Sequence, residues 1–205
     1  MQPPYVLFAI SGSTRRDSSN GRLIHTLAAL GGDAFVLHLF EGIDTLPHFH
    51  PDRNIEDVPA EVQAFRAQLA VADAVLICTP EYAHGVPGAL KNAIDWAVSS
   101  GSFSGKPTAL VTASTDGRFG HASLLETLRT IEARGVDGLS LLVPFVRTRI
   151  DAAASVCSRV ISARACASRV SSVMRPAASM RVRTKGTSRL SPSTPRASMV
   201  RSVSS

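Results

Sequence analysis

Val6 to Ile10 is an unbroken apolar run that ends in Ser11-Gly12-Ser13, the pattern of a strand covered on both faces in a parallel sheet and followed by a loop. Leu23, Ile24, Leu27 and Leu30 then recur at helical spacing, and Gly31-Gly32 ends that helix. The alternation predicts a second strand over 34–40, a second helix over 61–71 and a third strand, apolar throughout, over 74–78. Pro87, where a first helical turn tolerates proline, opens a helix through Leu90, Ile94 and Trp96. A strand over 108–113, a helix over 124–131 and a strand over 139–146 follow. Five strands separated by four helices, with no hairpin signal between them, require right-handed crossovers and a three-layer α/β sandwich around a five-stranded parallel sheet. Ligands of such sheets bind beyond the carboxyl ends of the strands, beside the point where strand order reverses. The loops to inspect are therefore 11–20, 79–86 and 114–121.

The first of these runs from Ser11 to Asn20 and concentrates hydroxyls, backbone amides, Arg15 and Arg16 at a helix start. Serine and asparagine donate to phosphate oxygens, the helix dipole favours negative charge and Arg15 adds a bidentate contact, so the segment reads as an anion site. It reads equally as a serine-rich turn that caps a helix. It is neither a Walker loop nor G-x-G-x-x-G. The second loop, Thr79 to Gly88, leaves a buried strand with prolines and glycines that expose backbone amides to a planar ring, or that simply stiffen a turn while Tyr82 covers a strand end. The third, Ser114 to Gly120, is also polar and carries glycine, which favours one shared site over three unrelated turns.

Gly12-Ser13-x-Arg15-x-x-Ser18-x-Asn20, then Pro80-Glu81-Tyr82, then Pro87-Gly88-x-Leu90-Lys91-Asn92-Ala93-Ile94-Asp95-Trp96 resembles the NADPH-dependent FMN reductase family, flavodoxin-like reductases of quinones, azo dyes, chromate and flavins. The likeness covers residues 5–150. It implies that Ser13, Arg15, Ser18 and Asn20, flanked by Ser11 and Ser19, hold the FMN phosphate. Pro80, Glu81, Tyr82 and the following Ala83, His84 and Gly85 would line the isoalloxazine, and Ser114, Gly117 and Arg118 its other edge. Ala83 departs from the asparagine that the family often carries there. The resemblance further implies NADPH or NADH as hydride donor, a small-molecule acceptor, no catalytic side chain, no metal, and a homodimer packed through the helix of residues 90–97. Two rivals are a flavin electron carrier without nicotinamide activity and a nucleic-acid-binding protein that uses the C-terminal part of the chain.

Charge divides the 205 residues sharply. Residues 1–151 hold 12 basic and all 16 acidic side chains, whereas residues 152–205 hold 10 basic and none acidic, with fourteen serines and no aromatic residue. This atypical basic tail reads as disordered over 175–205 with a marginal helix over 151–174, where Val156, Val160, Ala163, Ala167, Val170 and Met174 keep helical steps. It binds nucleic acid non-specifically or is translated out of frame; the abrupt change near Asp151 favours the latter. Cys78, Cys157 and Cys166 form no C-x-x-C pair, which argues against disulfides and a zinc cage and for a cytoplasmic protein. No run approaches about 18 uninterrupted apolar residues, so no membrane span is expected. His48-x-His50 lacks a third ligand nearby and reads as a solvated loop, Cys78 as a small buried hydrophobe, and Lys91 with Asp95 as an i, i+4 surface pair.

Overall fold

A computed structural model of the protein describes residues 4–54 and 57–145. The apolar runs become β1 (Tyr5–Ser11), β2 (Phe35–Phe40), β3 (Ala74–Thr79), β4 (Thr108–Ser114) and β5 (Ser140–Pro144). Between them lie α1 (Ser19–Leu30), α2 (Ala60–Val71), α3 (Gly88–Val98) and α4 (Arg118–Thr130). The strands form one parallel sheet in the order β2-β1-β3-β4-β5. That order is flavodoxin-like, and it reverses between β1 and β3, so the chain leaving these two strands diverges and opens a crevice at their carboxyl ends.

Burial follows from the pleat, which sends successive side chains to opposite faces. Phe8 and Ile10 of β1 join Val62, Phe65 and Leu69 of α2, Leu90, Ile94 and Trp96 of α3, and Leu124 and Leu128 of α4. Leu7 and Ala9 face the other way, with Leu76, Cys78, Val111 and Val143 of the sheet and Leu23 and Ile24 of α1. All six residues of β3 are buried, which explains its uninterrupted apolar sequence. Each large side chain so covered contributes about 1.5–3 kcal/mol.

Long-range polar contacts fix the loops to this core. Asn92 of α3 accepts from Phe49 N–H at 2.7 Å and donates to the Pro47 carbonyl at 3.0 Å, while Trp96 Nε1 donates to the same carbonyl at 2.7 Å. One turn of α3 thereby pins the long connection between β2 and α2. Lys106 donates to the carbonyls of Leu69, Ala70 and Ala72 at 2.7, 3.1 and 2.6 Å, supplying the cation that the last turn of α2 lacks. Burial lowers the pKa of this ammonium. Lys91 and Asp95 form the expected pair at 2.6 Å.

Several boundaries differ from the sequence reading. Residues 32–34 form a 3₁₀ turn, so β2 starts at Phe35 instead of Ala34. Pro87 is the N-cap of α3, just outside the first turn. Strand β5 is shorter than 139–146. Helix α4 begins at Arg118 instead of Leu124, because the single, exposed Phe119 of its first turn sets no apolar period. The expectations for residues 151–174 and 175–205, with Cys157 and Cys166, lie outside the described residues.

Candidate functional site

Helix α1 begins in a way that creates donors. Ser18 is its N-cap and accepts from Gly21 N–H through Oγ at 2.9 Å, and the first turn holds no acidic residue. Free N–H groups and the positive end of the helix dipole therefore face the loop that leaves β1. Within that loop Ser11 Oγ lies 3.2 Å from the Ser13 carbonyl and 3.3 Å from its amide, and Ser13 Oγ accepts from Arg15 N–H at 3.4 Å. Ser13, Ser18 and Asn20 are buried, whereas Arg15 and Arg16 are exposed. Asn20 is only 4% exposed; its Nδ2 donates to the Ala113 carbonyl at 3.4 Å and its Oδ1 has no hydrogen-bond partner among the described residues.

This loop opens into a cleft of about 970 Å³ at the carboxyl end of the sheet. Ser13, Arg15, Ser18, Ser19 and Asn20 line one side, and Pro80, Glu81, Tyr82 and Ser114 the other. Six further residues expected at the site, Ser11, Ala83, His84, Gly85, Gly117 and Arg118, do not line this cleft. Six lining residues stand outside that assignment: Arg16, Asp17 and Thr115, which lie within the loops singled out in the sequence, and Arg22, Ala113 and Phe145, which lie beyond them. Arg22 is legible as the residue four positions beyond the cap, and Phe145 as the residue that leaves β5 on the ligand-bearing edge.

Hydrogen bonds hold the 79–86 and 114–121 loops together. Tyr82 and Gly85 exchange both backbone hydrogen bonds, at 3.1 and 2.9 Å, around Ala83 and His84, whose φ values are +48° and +58°. This is a two-residue turn with the left-handed pair of a type I′ hairpin, which asparagine and glycine favour and alanine resists. Replacing Ala83 with asparagine is expected to raise stability by about 1 kcal/mol, read from the urea midpoint at constant m-value. An unchanged or lower midpoint would show that Ala83 carries no strain.

Glu81 makes the second tie. Its side chain is 6% exposed, one carboxylate oxygen accepts from Gly120 N–H at 2.5 Å, and the other lies 3.6 Å from His84 Nδ1. Gly120 is the third residue of α4, and the N-cap Gly117, at φ +90°, has no side chain to cap the helix. Glu81 thus caps α4 from the neighbouring loop, while its own amide donates to Ser114 Oγ at 3.2 Å. A Cβ on Gly120 would sit 3.1 Å from the Gly85 carbonyl oxygen, so the two loops meet backbone to backbone. His84 also stacks edge-on against Phe119, centroids 4.7 Å apart, and Arg118 binds Asp116 at 3.0 Å.

Two other reactive groups are accounted for by their surroundings. Cys78 is fully buried, and burial pushes its thiol far above the ordinary range, so it packs as a small apolar group. His121 shares a hydrogen bond of 2.8 Å with Thr112 Oγ1, and burial lowers its pKa, which favours the neutral ring. His50 lies 3.7 Å from Asp52 on exposed chain.

The profile of the family described as NADPH-dependent FMN reductase matches residues 6–145. A 2-hydroxy-1,4-benzoquinone reductase of a Burkholderia species is 41% identical over 60% of this chain and 67% of its own length. An NAD(P)H-dependent FMN reductase of Pseudomonas aeruginosa is 34% identical over 71% of this chain and 81% of its own. Among solved structures, the flavoenzyme NAD(P)H:acceptor oxidoreductase FerB from Paracoccus denitrificans superposes with a TM-score of 0.62 at 27% identity, covering 83% of this chain and 95% of that one. No helix among the described residues is long and apolar enough to cross a membrane.

Proposed function

The chain belongs to the NADPH-dependent FMN reductase family, and from that premise we propose that it moves reducing equivalents from a reduced nicotinamide nucleotide to a quinone, with Ser13, Arg15, Ser18, Ser19 and Asn20 holding the phosphate end of FMN. The observation that carries the reading is the joining, in one cleft, of the donor-rich start of α1 with the Pro80–Tyr82 loop and Ser114. The residues fit the cofactor. Serine hydroxyls, an exposed guanidinium and the acid-free first turn suit a phosphate dianion, and the unpartnered Oδ1 of buried Asn20 suits a hydroxyl of the ribityl chain. When bound, the flavin supplies the hydride chemistry itself.

The work left to the protein is binding, orientation and exclusion of water. Arg15 and the α1 start hold charge, the Pro80–Tyr82 backbone and Ser114 border the ring, and Glu81 keeps the two bordering loops at a fixed separation. A quinone is the acceptor favoured by the Burkholderia relative, whose name specifies a benzoquinone. The reading extends to a cytoplasmic homodimer packed through α3, where Val98 is 52% exposed. A flavin carrier with the same cleft would hold FMN and leave NADPH unoxidised.

The test begins with the flavin absorbance of the purified chain. Arg15→Ala is then expected to weaken FMN by about 1.5–3 kcal/mol through loss of a charge-assisted contact, and to leave riboflavin, which lacks the phosphate, nearly unchanged. Titration of the apoprotein with both ligands decides it: equal losses for the two would remove the phosphate from Arg15.

A further inference from the structure

Among the described residues three Phe and Tyr rings stand exposed, and two of them, Tyr82 at 51% and Phe145 at 60%, line the cleft. The third, Phe119, is met by the His84 ring and by Arg118, whose guanidinium lies 5.1 Å from the ring centroid. Phe145 follows β5 directly at φ +53°, a left-handed backbone that glycine takes without cost and a bulky side chain resists. Its N–H donates to the Thr115 carbonyl at 3.2 Å, which pins the turn to the loop beyond β4. A large ring held in this conformation at a cleft, and left mostly uncovered, points to a ligand contact.

Tyr82 and Phe145 follow β3 and β5, which flank β4 in the sheet. Neighbouring strands lie about 4.7–4.9 Å apart, which sets these two about 9.5 Å from each other. A flat ring with an aromatic group against each face needs about 7–8 Å, two contacts of about 3.5–4.0 Å each. The lining that β4 contributes between them is small: Ala113, Ser114 and Thr115. Charge sets this end apart as well. The cations of the lining, Arg15, Arg16 and Arg22, all belong to the chain around the start of α1, and none comes from the segments that follow β3, β4 or β5.

We infer that Phe145 is the residue that selects the electron acceptor: on the β5 side of the cleft it forms, with the Tyr82 ring, an aromatic slot that takes an uncharged planar ring in preference to an anionic or saturated acceptor. The inference rests on the proposed function and gives its acceptor a contact residue. In that reading the flavin meets the backbone of Pro80–Tyr82, so the Tyr82 ring is left to the acceptor. Offset and edge contacts between rings supply the attraction, and an anion gains nothing from them.

Phe145→Gly removes the ring and suits the left-handed backbone, whereas Phe145→Tyr keeps the ring. With NADPH and the flavin-loaded protein, menadione, which takes two electrons and two protons to become the quinol, is compared with ferricyanide, an anion that takes one electron, two per NADPH. Phe145→Gly is expected to raise KM for menadione about tenfold and to leave ferricyanide within about twofold, with Phe145→Tyr near the parent. Binding without turnover is the second readout. Calorimetry should show 1-naphthol binding the oxidised parent about fivefold more tightly than decahydro-1-naphthol, and Phe145→Gly should lose that difference. Flavin content should stay at the parent level and the urea midpoint should not fall. Equal losses with both acceptors, an unchanged KM for menadione, or a parent indifferent to the two naphthols overturns the slot. A lower urea midpoint in Phe145→Gly overturns it too, since the ring would then serve the fold, and so does loss of flavin, since the ring would then serve the cofactor. A parent chain without flavin, or whose flavin NADPH fails to bleach, would instead sink the proposed function, and the two naphthols would still report on Phe145.

Discussion

Gly12→Ala is expected to destabilise the protein by about 3 kcal/mol, the upper part of the range for forcing atoms into a packed interior. A Cβ at Gly12 would overlap Thr79 Oγ1, approach Thr79 Cβ to 2.7 Å and meet Leu90 Cδ2 at 3.1 Å. None of these groups is free to withdraw. Thr79 is 2% exposed and its hydroxyl donates to the Pro80 carbonyl at 2.9 Å, while Gly12 N–H donates to the Cys78 carbonyl at 2.8 Å and holds the ends of β1 and β3 together. Relief requires spreading those two strand ends, which are the roots of both main site loops, so flavin affinity should fall with stability. Urea unfolding of Gly12→Ala, Thr79→Ala and the double variant tests the cause. Thr79→Ala removes the overlapping oxygen, so the double variant should lose clearly less than the sum of the two single losses. Strict additivity would mean that the overlap with the Thr79 hydroxyl is not the source.

Glu81→Ala should cost about 2–3 kcal/mol, because it strands the buried Gly120 N–H and removes a carboxylate from the start of α4. Glu81→Gln keeps an acceptor and discards the charge, so its loss should be less than half as large. Flavin release adds a second readout. With the tie cut, the Tyr82–Gly85 turn and the start of α4 separate more readily, and FMN should dissociate several-fold faster from the alanine variant than from the glutamine variant. If both substitutions are equally damaging, charge rather than the hydrogen bond is the essential part; if neither is, the cap is idle.

What was legible in the sequence, and what was not, follows from where the determining contacts lie. β1 and β3 are readable because both faces of each are covered, so composition alone marks them. The start of α1 is less plain, since Ser19, Asn20, Gly21 and Arg22 carry no apolar signal and the helix is declared by the Ser18 cap. The start of α4 is harder still: its cap is Glu81, 39 positions away from Gly120. The same holds for the motif in α3. Asn92 and Trp96 stand out as a pattern, yet their task is to hold Pro47, 45 and 49 positions earlier. In the site, the strand-end loops were visible as polar, glycine-bearing punctuation. The division between residues that face the cleft and those that brace it depends on the turn geometry at Ala83 and His84, which residue types alone do not dictate.

The position of β1 inside the sheet, between β2 and β3, has a consequence for biosynthesis. β1 leaves the ribosome first, but its partner across the site is β3: Leu7 pairs with Ala74, and the Asp73 carboxylate reaches Val6 N–H across 67 positions of sequence. At translation speeds of roughly 5–20 residues per second, one edge of this apolar strand stays unpaired for about 3–13 s after it is made. During that interval it is a template for intermolecular pairing and a natural client for chaperones. The cleft does not exist in the nascent chain until β3 and β4 have joined, so cofactor capture is a late event, and free flavin in the cell would draw the completed sheet out of the pool of incomplete chains by mass action.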